Sequence, residues 1–395
     1  MKKNIFKYCF LSTLSLGFFA CSDDDEGSND TSDLVSEAAV IENYADIVFQ
    51  NYQDAYDAAE DMKGAIDAFV ADPTEANFAV AKDAWLTARE PYGQTEAFRF
   101  ANGPIDDADG PEGLLNAWPL DEAYVDYVDG DDTSGIINDV DEYPNITKEV
   151  LEGLNEVGGE TNISVGYHAI EFLLWGQDLT DPSAQMPGQR AYTDFVDEED
   201  GGTASNQDRR RDYLAACADL LLDHLQLMLD EWTTDGPYRQ EFLTLDADEA
   251  LGNMLTAIAT LSKSELAAER MFVAYINQDQ EDEHSCFSDN THRDIRLNLD
   301  GIANVYRGSY GTISGSSLED LILASDPEVG AEITALLAEA EEAVEATAEP
   351  FDFAISDATE GQVVVLAVEA LQDLGDAFVE GAEALGLEVS SELPE

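Results

Sequence analysis

Gly166-Tyr167-His168-Ala169-Ile170-Glu171-Phe172-Leu173-Leu174-Trp175-Gly176-Gln177-Asp178 sets an imidazole and a carboxylate three residues apart inside an apolar, helix-compatible run. On a helix, positions i and i+3 share one face, so both groups point at the same place. Imidazole and carboxylate together make a metal-ligand pair, and four-helix di-iron proteins use the mirror-image spacing Glu-x-x-His. The whole chain has only four histidines. A lone His-x-x-Glu also arises by chance, so the rest of the chain has to carry the reading.

Helical periodicity surrounds the motif. Leu34, Ala38, Ile41, Ala45, Val48, Tyr52, Ala55, Ala59, Met62, Ile66 and Phe69 recur at steps of three and four, which predicts a helix that Asp72-Pro73 ends. A second helix is expected over about 74–100. From 101 to 159 the pattern loosens into Gly, Pro and Asp with one or two short helices, and 180–205 reads as an acidic, Gly-rich loop. Further helices are expected over 207–233, 247–277, 291–306, 327–348 and 357–385. Alternating Val, Ile and Thr runs are nearly absent, so sheet content should be low.

At 395 residues the chain is too long for one helical core and predicts two lobes. A hydrophobic share of 44% is enough to fill them. Lys+Arg number 18 against 85 Asp+Glu, a net charge of −67. Such a surface repels itself, and concentrated salt relieves that because the Debye length shrinks to about 3 Å at 1 M. The composition therefore points to work in brine and excludes nucleic acid and anionic membrane surfaces as partners.

Lys2, Lys3 and Lys7 precede an apolar run, 8–20, ending in Ala20-Cys21, the pattern of a secretion signal with a cysteine at its cleavage point. Read as a bacterial lipoprotein signal, it leaves Cys21 to carry lipid, and Ser22-Asp23-Asp24-Asp25-Glu26 resembles an acidic surface-export tag. The expected organisation is a signal over 1–20, an acidic tether over 21–35, and helical halves over 36–200 and 201–395. Cys217 and Cys286 then remain, so no disulfide framework holds the fold; whether those two pair is open.

Two other segments stand apart from ordinary packing. Arg89-Glu90-Pro91-Tyr92-Gly93-Gln94-Thr95-Glu96-Ala97-Phe98-Arg99-Phe100 puts Pro and Gly inside a helix, which predicts a kink, with two arginines close to glutamates. A site role and buried ion pairs both fit. Glu281-Asp282-Glu283-His284-Ser285-Cys286-Phe287-Ser288-Asp289-Asn290-Thr291-His292-Arg293-Asp294 holds two of the histidines, and its Asp289, Asn290 or Thr291 could cap the next helix. His224 lies among leucines and reads as structural.

Together with Ala117-Trp118-Pro119-Leu120-Asp121, these segments and the Gly-x-His-x-x-Glu core resemble the imelysin family, within it the iron-regulated protein A branch, over about 40–385. The resemblance implies an all-α fold of two helical-bundle halves with the motif in a cleft between them. It implies a cell-envelope protein of iron acquisition and a possible partner of an envelope iron transporter, to which the N-terminal signal adds a lipid anchor at the outer membrane, periplasmic or surface-exposed. The family also carries a metallopeptidase label. This chain lacks His-Glu-x-x-His, the usual zinc-peptidase motif, which leaves a general base unassigned. The favoured expectation is therefore binding of iron, another divalent or trivalent ion, or a ferric chelate. His168 and Glu171 are the inner ligands, with Glu90, Glu96, His284 and His292 as further donors. Arg89 and Arg99 hold carboxylates in place or meet an anionic chelate. A metal-dependent peptidase and a structural or adhesive surface protein are the alternatives.

Overall fold

The computed structural model describes residues 36–108 and 110–393; the signal, Cys21 and the tether lie outside them. The first helix, Glu37–Ala71, buries the stripe expected of it from Ile41 through Ala45, Val48 and Tyr52 to Phe69, with Val40 and Tyr44 added beside it, and stops at Asp72. Thr74 caps the next helix, Glu75–Thr95, by accepting the Asn77 N–H at 3.3 Å. Gln207–Trp232 lies along the first helix, so the segment after residue 200 completes an N-terminal bundle, against which the motif helix Gly166–Trp175 packs. A second bundle is built on Glu360–Ala384, which packs on Pro327–Glu345 and on the 247–277 segment.

The two bundles meet where Glu75–Thr95 crosses Thr291–Arg307. Here Gly93 has its reason: a Cβ would stand 2.8 Å from Leu297 Cβ, and one on Gly301 would stand 2.4 Å from the Gln94 carbonyl oxygen. The two glycines let the backbones approach, and Asn298 Nδ2 donates to the Gly93 carbonyl at 2.9 Å. Pro91 does not end its helix, which runs on to Thr95 and tightens into a 3-10 turn at Glu96–Phe98. The Pro91 carbonyl accepts from Asn51 Nδ2 at 2.8 Å.

The stretch expected as one helix over 247–277 is three: Ala247–Thr260, a π-helical segment Leu261–Phe272, and Val273–Asn277. The loose region holds three short helices, Glu112–Leu115, Glu122–Val125 and Lys148–Leu154. Pro237–Phe242, Leu318–Ser325 and Phe351–Ser356 were not anticipated. Among the described residues, strand is confined to one hairpin, Ser309–Tyr310 against Ile313–Ser314. Buried Asp126 binds Arg190 and Arg210 and so ties the loose region to the acidic loop and to the Gln207–Trp232 helix. Cys217 and Cys286 are free buried thiols. No described helix is long and apolar enough to cross a membrane.

Candidate metal centre at the bundle junction

The motif helix starts at Gly166, whose φ of +87° and closeness to the Leu115 carbonyl (2.7 Å from a built Cβ) exclude a side chain. That start buries every residue of the helix. His168 and Glu171 face each other, as their spacing predicts: His168 Nδ1 and Glu171 Oε2 are 2.9 Å apart. The other carboxylate oxygen, Oε1, accepts from the Ser288 N–H at 2.9 Å and its hydroxyl at 2.7 Å. Burial pushes the Glu171 carboxyl up to about 8, against the pull of those Ser288 bonds. Burial, then neighbouring His284, holds His168 neutral, well below the usual imidazole range. Its Nε2 is buried with no partner.

His284 is the second imidazole, its ring centroid 4.7 Å from that of His168 and nearly perpendicular to it. His284 Nδ1 stands 3.0 Å from Asp294 Oδ2, which also accepts from the Ser285 hydroxyl. Burial alone would raise Asp294, but Arg89, His284 and Ser285 hold it well below the usual carboxylate range. An ionised Asp294 requires the His284 proton on Nδ1, which leaves Nε2 as a lone pair. That atom lies 3.4 Å from Asn116 Nδ2.

Asn116 links the elements. Its oxygen accepts from Arg89 Nη1 at 2.6 Å, so its amide nitrogen is free to serve His284 and Glu96 Oε1, the latter at 3.3 Å. Glu96 Oε2 accepts from Arg270 Nη2 at 2.6 Å. Burial would raise Glu96, but Arg270, Arg99 and His284 outweigh it and bring it down to about 2. Arg270 also bonds Glu265 and Asn298. Arg89, Asn116, Asp294, Glu96 and Arg270 thus form a buried network behind the two imidazoles.

In front of it lies a cleft of about 410 Å³, lined by His284, Asn116, Trp118, Arg99 and Arg270 and ringed by Glu112, Glu156, Glu160, Glu265, Glu269 and Asp282. Those six carboxylates outnumber the two guanidiniums, so the cleft is negative. His168 sits one layer deeper, under Trp118, whose ring centroid is 5.0 Å away.

The expected site residues divide. His168, Glu171, His284, Glu96 and Arg89 come together, and Arg99 reaches the same cluster through Glu96 (3.6 Å) and Glu112 (3.3 Å). Glu90 faces outward and pairs with Arg293 at 2.7 Å. His292 turns its Nδ1 to the Asp289 carbonyl at 2.9 Å and makes no bond or ring contact with the other two histidines. Both arginines are engaged by protein groups: Arg89 by Asp294 and Asn116, Arg99 by Asp106, Glu96 and Glu112. The sequence reading passed over Asn116, Ser288, Asp294 and Arg270. Asp294 and Ser288 lie inside the third segment, and Asn116 directly precedes Ala117-Trp118, so the signal was in hand.

The sequence profile described as imelysin, peptidase M75, matches residues 48–378. A curated relative described as iron-regulated protein A, from Synechococcus elongatus, is 26% identical over 341 residues, covering 83% of this chain and 81% of the relative. A crystal structure described as an iron-regulated protein A precursor, from Parabacteroides distasonis, matches with a TM-score of 0.68 at 21% identity, over 90% of this chain and 97% of that one. At that identity the match shows a shared fold.

Proposed function

This chain belongs to the imelysin family, and on that premise we propose that it is a cell-envelope lipoprotein, anchored at the outer membrane through Cys21, that binds iron in iron acquisition. Its relatives' names bring iron into the reading; the donor chemistry supports a metal ion as the cargo. The observation that carries the proposal is the unpartnered buried Nε2 of His168 beside His284, each imidazole fixed through Nδ1 by a carboxylate. Carboxylate-backed imidazoles are how metal sites orient their nitrogen ligands and raise their basicity. In this reading Glu171 and Asp294 stand behind the ligands: His284 Nε2 offers its lone pair in place of the Asn116 contact, and His168 Nε2 gains one when ion binding displaces a proton from the His168–Glu171 pair and leaves Glu171 ionised behind Nδ1.

The negative cleft favours a cation over an anionic chelate, because Arg89 and Arg99 are already committed to carboxylates. An ion entering past the acidic rim meets His284 first, and Trp118 must turn aside before it reaches His168. The peptidase reading draws support only from the family's description. Glu171, the nearest candidate for a general base, is turned toward His168 and Ser288, and burial keeps its carboxyl protonated up to about 8, which makes it a poor acceptor for a proton from water.

The test is calorimetric titration of iron(II), without oxygen and in molar sodium chloride, into wild type, His168→Ala and His284→Ala. Wild type is expected to give a saturable heat that both variants lose, while Glu90→Gln and His292→Ala keep it. Equal heats from wild type and both histidine variants reject the site. Cleavage of unfolded peptides by the metal-loaded wild type, lost in His168→Ala, would put the peptidase reading in its place.

A further inference from the structure

Away from the cleft, a group of carboxylates is packed together with no cationic side chain among them. Asp178 follows the motif helix, Asp289 lies in the loop before Thr291–Arg307, and Asp352 lies in the Phe351–Ser356 helix. They are 3%, 7% and 1% exposed, and their carboxylate oxygens come within 4.8 Å of one another. Asp178 and Asp352 each spend Oδ1 on a backbone N–H close by, that of Thr180 and of Phe353. The Oδ2 atoms of all three aspartates are buried without a partner.

A fourth residue makes this more than an acidic cluster. Glu283 is 1% exposed, neither of its carboxylate oxygens has a partner in hydrogen-bond geometry although the Thr291 hydroxyl stands near enough to ease its burial, and the charges that act on it are those of Asp352, Asp289 and Asp178. Among the described residues none of the four is in an ion pair. Burial and mutual repulsion push Asp289 up to about 8 and Asp352 up to about 6. Buried charges in natural folds are paired or coordinate metals, since an uncompensated carboxylate is too costly to keep. Three orphaned oxygens converging from the aspartates, with the Glu283 carboxylate buried close enough to feel all three, therefore call for an occupant.

We propose that Asp178, Asp289, Asp352 and Glu283 form a structural site for a hard divalent cation of the calcium class, separate from the histidine centre. The donor set is all oxygen, which excludes the softer metals that imidazole and thiolate select. Calcium accepts six to eight oxygens in flexible geometry, whereas magnesium demands near-octahedral geometry and keeps several waters, for which this buried group offers little room. The ion joins three segments far apart in sequence. It also clamps the loop that carries His284 and Ser288, so it sets the position of the cleft's floor without touching the cleft.

The test strips wild type with chelator, then follows its melting temperature against added calcium in molar sodium chloride, which suppresses binding to the acidic surface. Wild type is expected to gain melting temperature saturably. Asp352→Asn and Glu283→Gln are expected to bind calcium at least about tenfold more weakly, the size of effect that even outer-shell changes have at metal sites. Without calcium both variants should melt no lower than wild type, because neither carboxyl has a cationic partner to lose and the amide keeps its size and an acceptor oxygen. A calcium-insensitive wild type overturns the proposal, and so do variants that respond as wild type does. Should neither variant fold, calcium retained by wild type after desalting decides: one ion per chain supports the site, none refutes it. His168→Ala should keep the full calcium response, which separates this site's failure from failure of the iron reading.

Discussion

Replacing Arg89 by methionine removes the one cation that faces Asp294 in the core while keeping most of the side chain's length. Arg89 is 1% exposed and donates to Asp294 Oδ1 from Nε and Nη2 at 3.2 and 2.9 Å. Its guanidinium also lies 5.1–5.6 Å from the rings of Trp85, Tyr92 and Tyr167, surfaces a methionine can still cover. What is lost is charge: Asp294 keeps only His284 and Ser285 in a fully buried setting. Breaking one partner of such a pair costs about 3–5 kcal/mol, because the survivor is left uncompensated. Asp294→Asn alone should also destabilise, by stranding Arg89. The double variant should cost less than the sum of the singles by about 1–3 kcal/mol, the range of coupling for contacting buried groups. Urea denaturation in molar sodium chloride, with a denaturant that carries no charge, measures all four corners of the cycle. An Arg89→Met cost below about 1 kcal/mol, or simple additivity, refutes the account of this network and with it the argument for the His284 proton on Nδ1.

Other consequences are directly measurable. Glu171 keeps its proton in the fold up to about pH 8, whereas an unfolded chain loses it near 4.3. The native state binds the extra proton in that window, so stability falls as pH rises, by at most about 1.4 kcal/mol per unit, and levels off above it. Glu171→Gln, which mimics the protonated carboxyl, should flatten that part of the melting curve between pH 5 and 9; an unchanged slope counts against the assignment. Gly166→Ala forces a Cβ to 2.7 Å from a backbone oxygen at φ +87° and should cost about 1–3 kcal/mol or more by denaturation, so a neutral substitution refutes the steric account. A chain with a net charge of −67 should gain melting temperature steeply as sodium chloride rises to the molar range, and a flat response rejects adaptation to brine.

Much of the fold was legible because long amphipathic helices announce themselves by period. The first helix buries the residues its spacing picked out from Ile41 to Phe69, while Ala38 in its first turn is exposed and Leu34 lies outside the described residues. His168 and Glu171 were readable as a pair, since i and i+3 must share a face. Their surroundings were not: that Glu171 turns one oxygen to His168 and the other to Ser288 depends on a loop more than a hundred residues away. Arg89 showed the same limit. A buried ion pair was one of its two readings, but Asp294, 205 positions on, could be found only through the crossing at Gly93 and Gly301. Neighbours in sequence misled in the other direction. Glu90 is one step from Arg89 and so about 100° around the helix, facing solvent and Arg293. Asn290 holds the cap position before Thr291–Arg307 yet makes no side-chain cap bond, and Thr291 instead accepts the Ser285 N–H.

The π-helical stretch Leu261–Phe272 carries a lesson about length. Glu265 and Arg270 are five apart, a spacing that an α-helix splays to different sides and a helix of i→i+5 bonds stacks one above the other, and here they are hydrogen-bonded at 2.9 Å. Wound as an ordinary α-helix, the same residues would put the pair about 140° apart around the axis and turn Arg270 off Glu96, whereas removing one residue between them would restore the phase, since positions four apart on an α-helix share a face. In this protein the phase of one coil, set by a residue count and not by residue chemistry, decides whether a cation reaches the floor of the cleft.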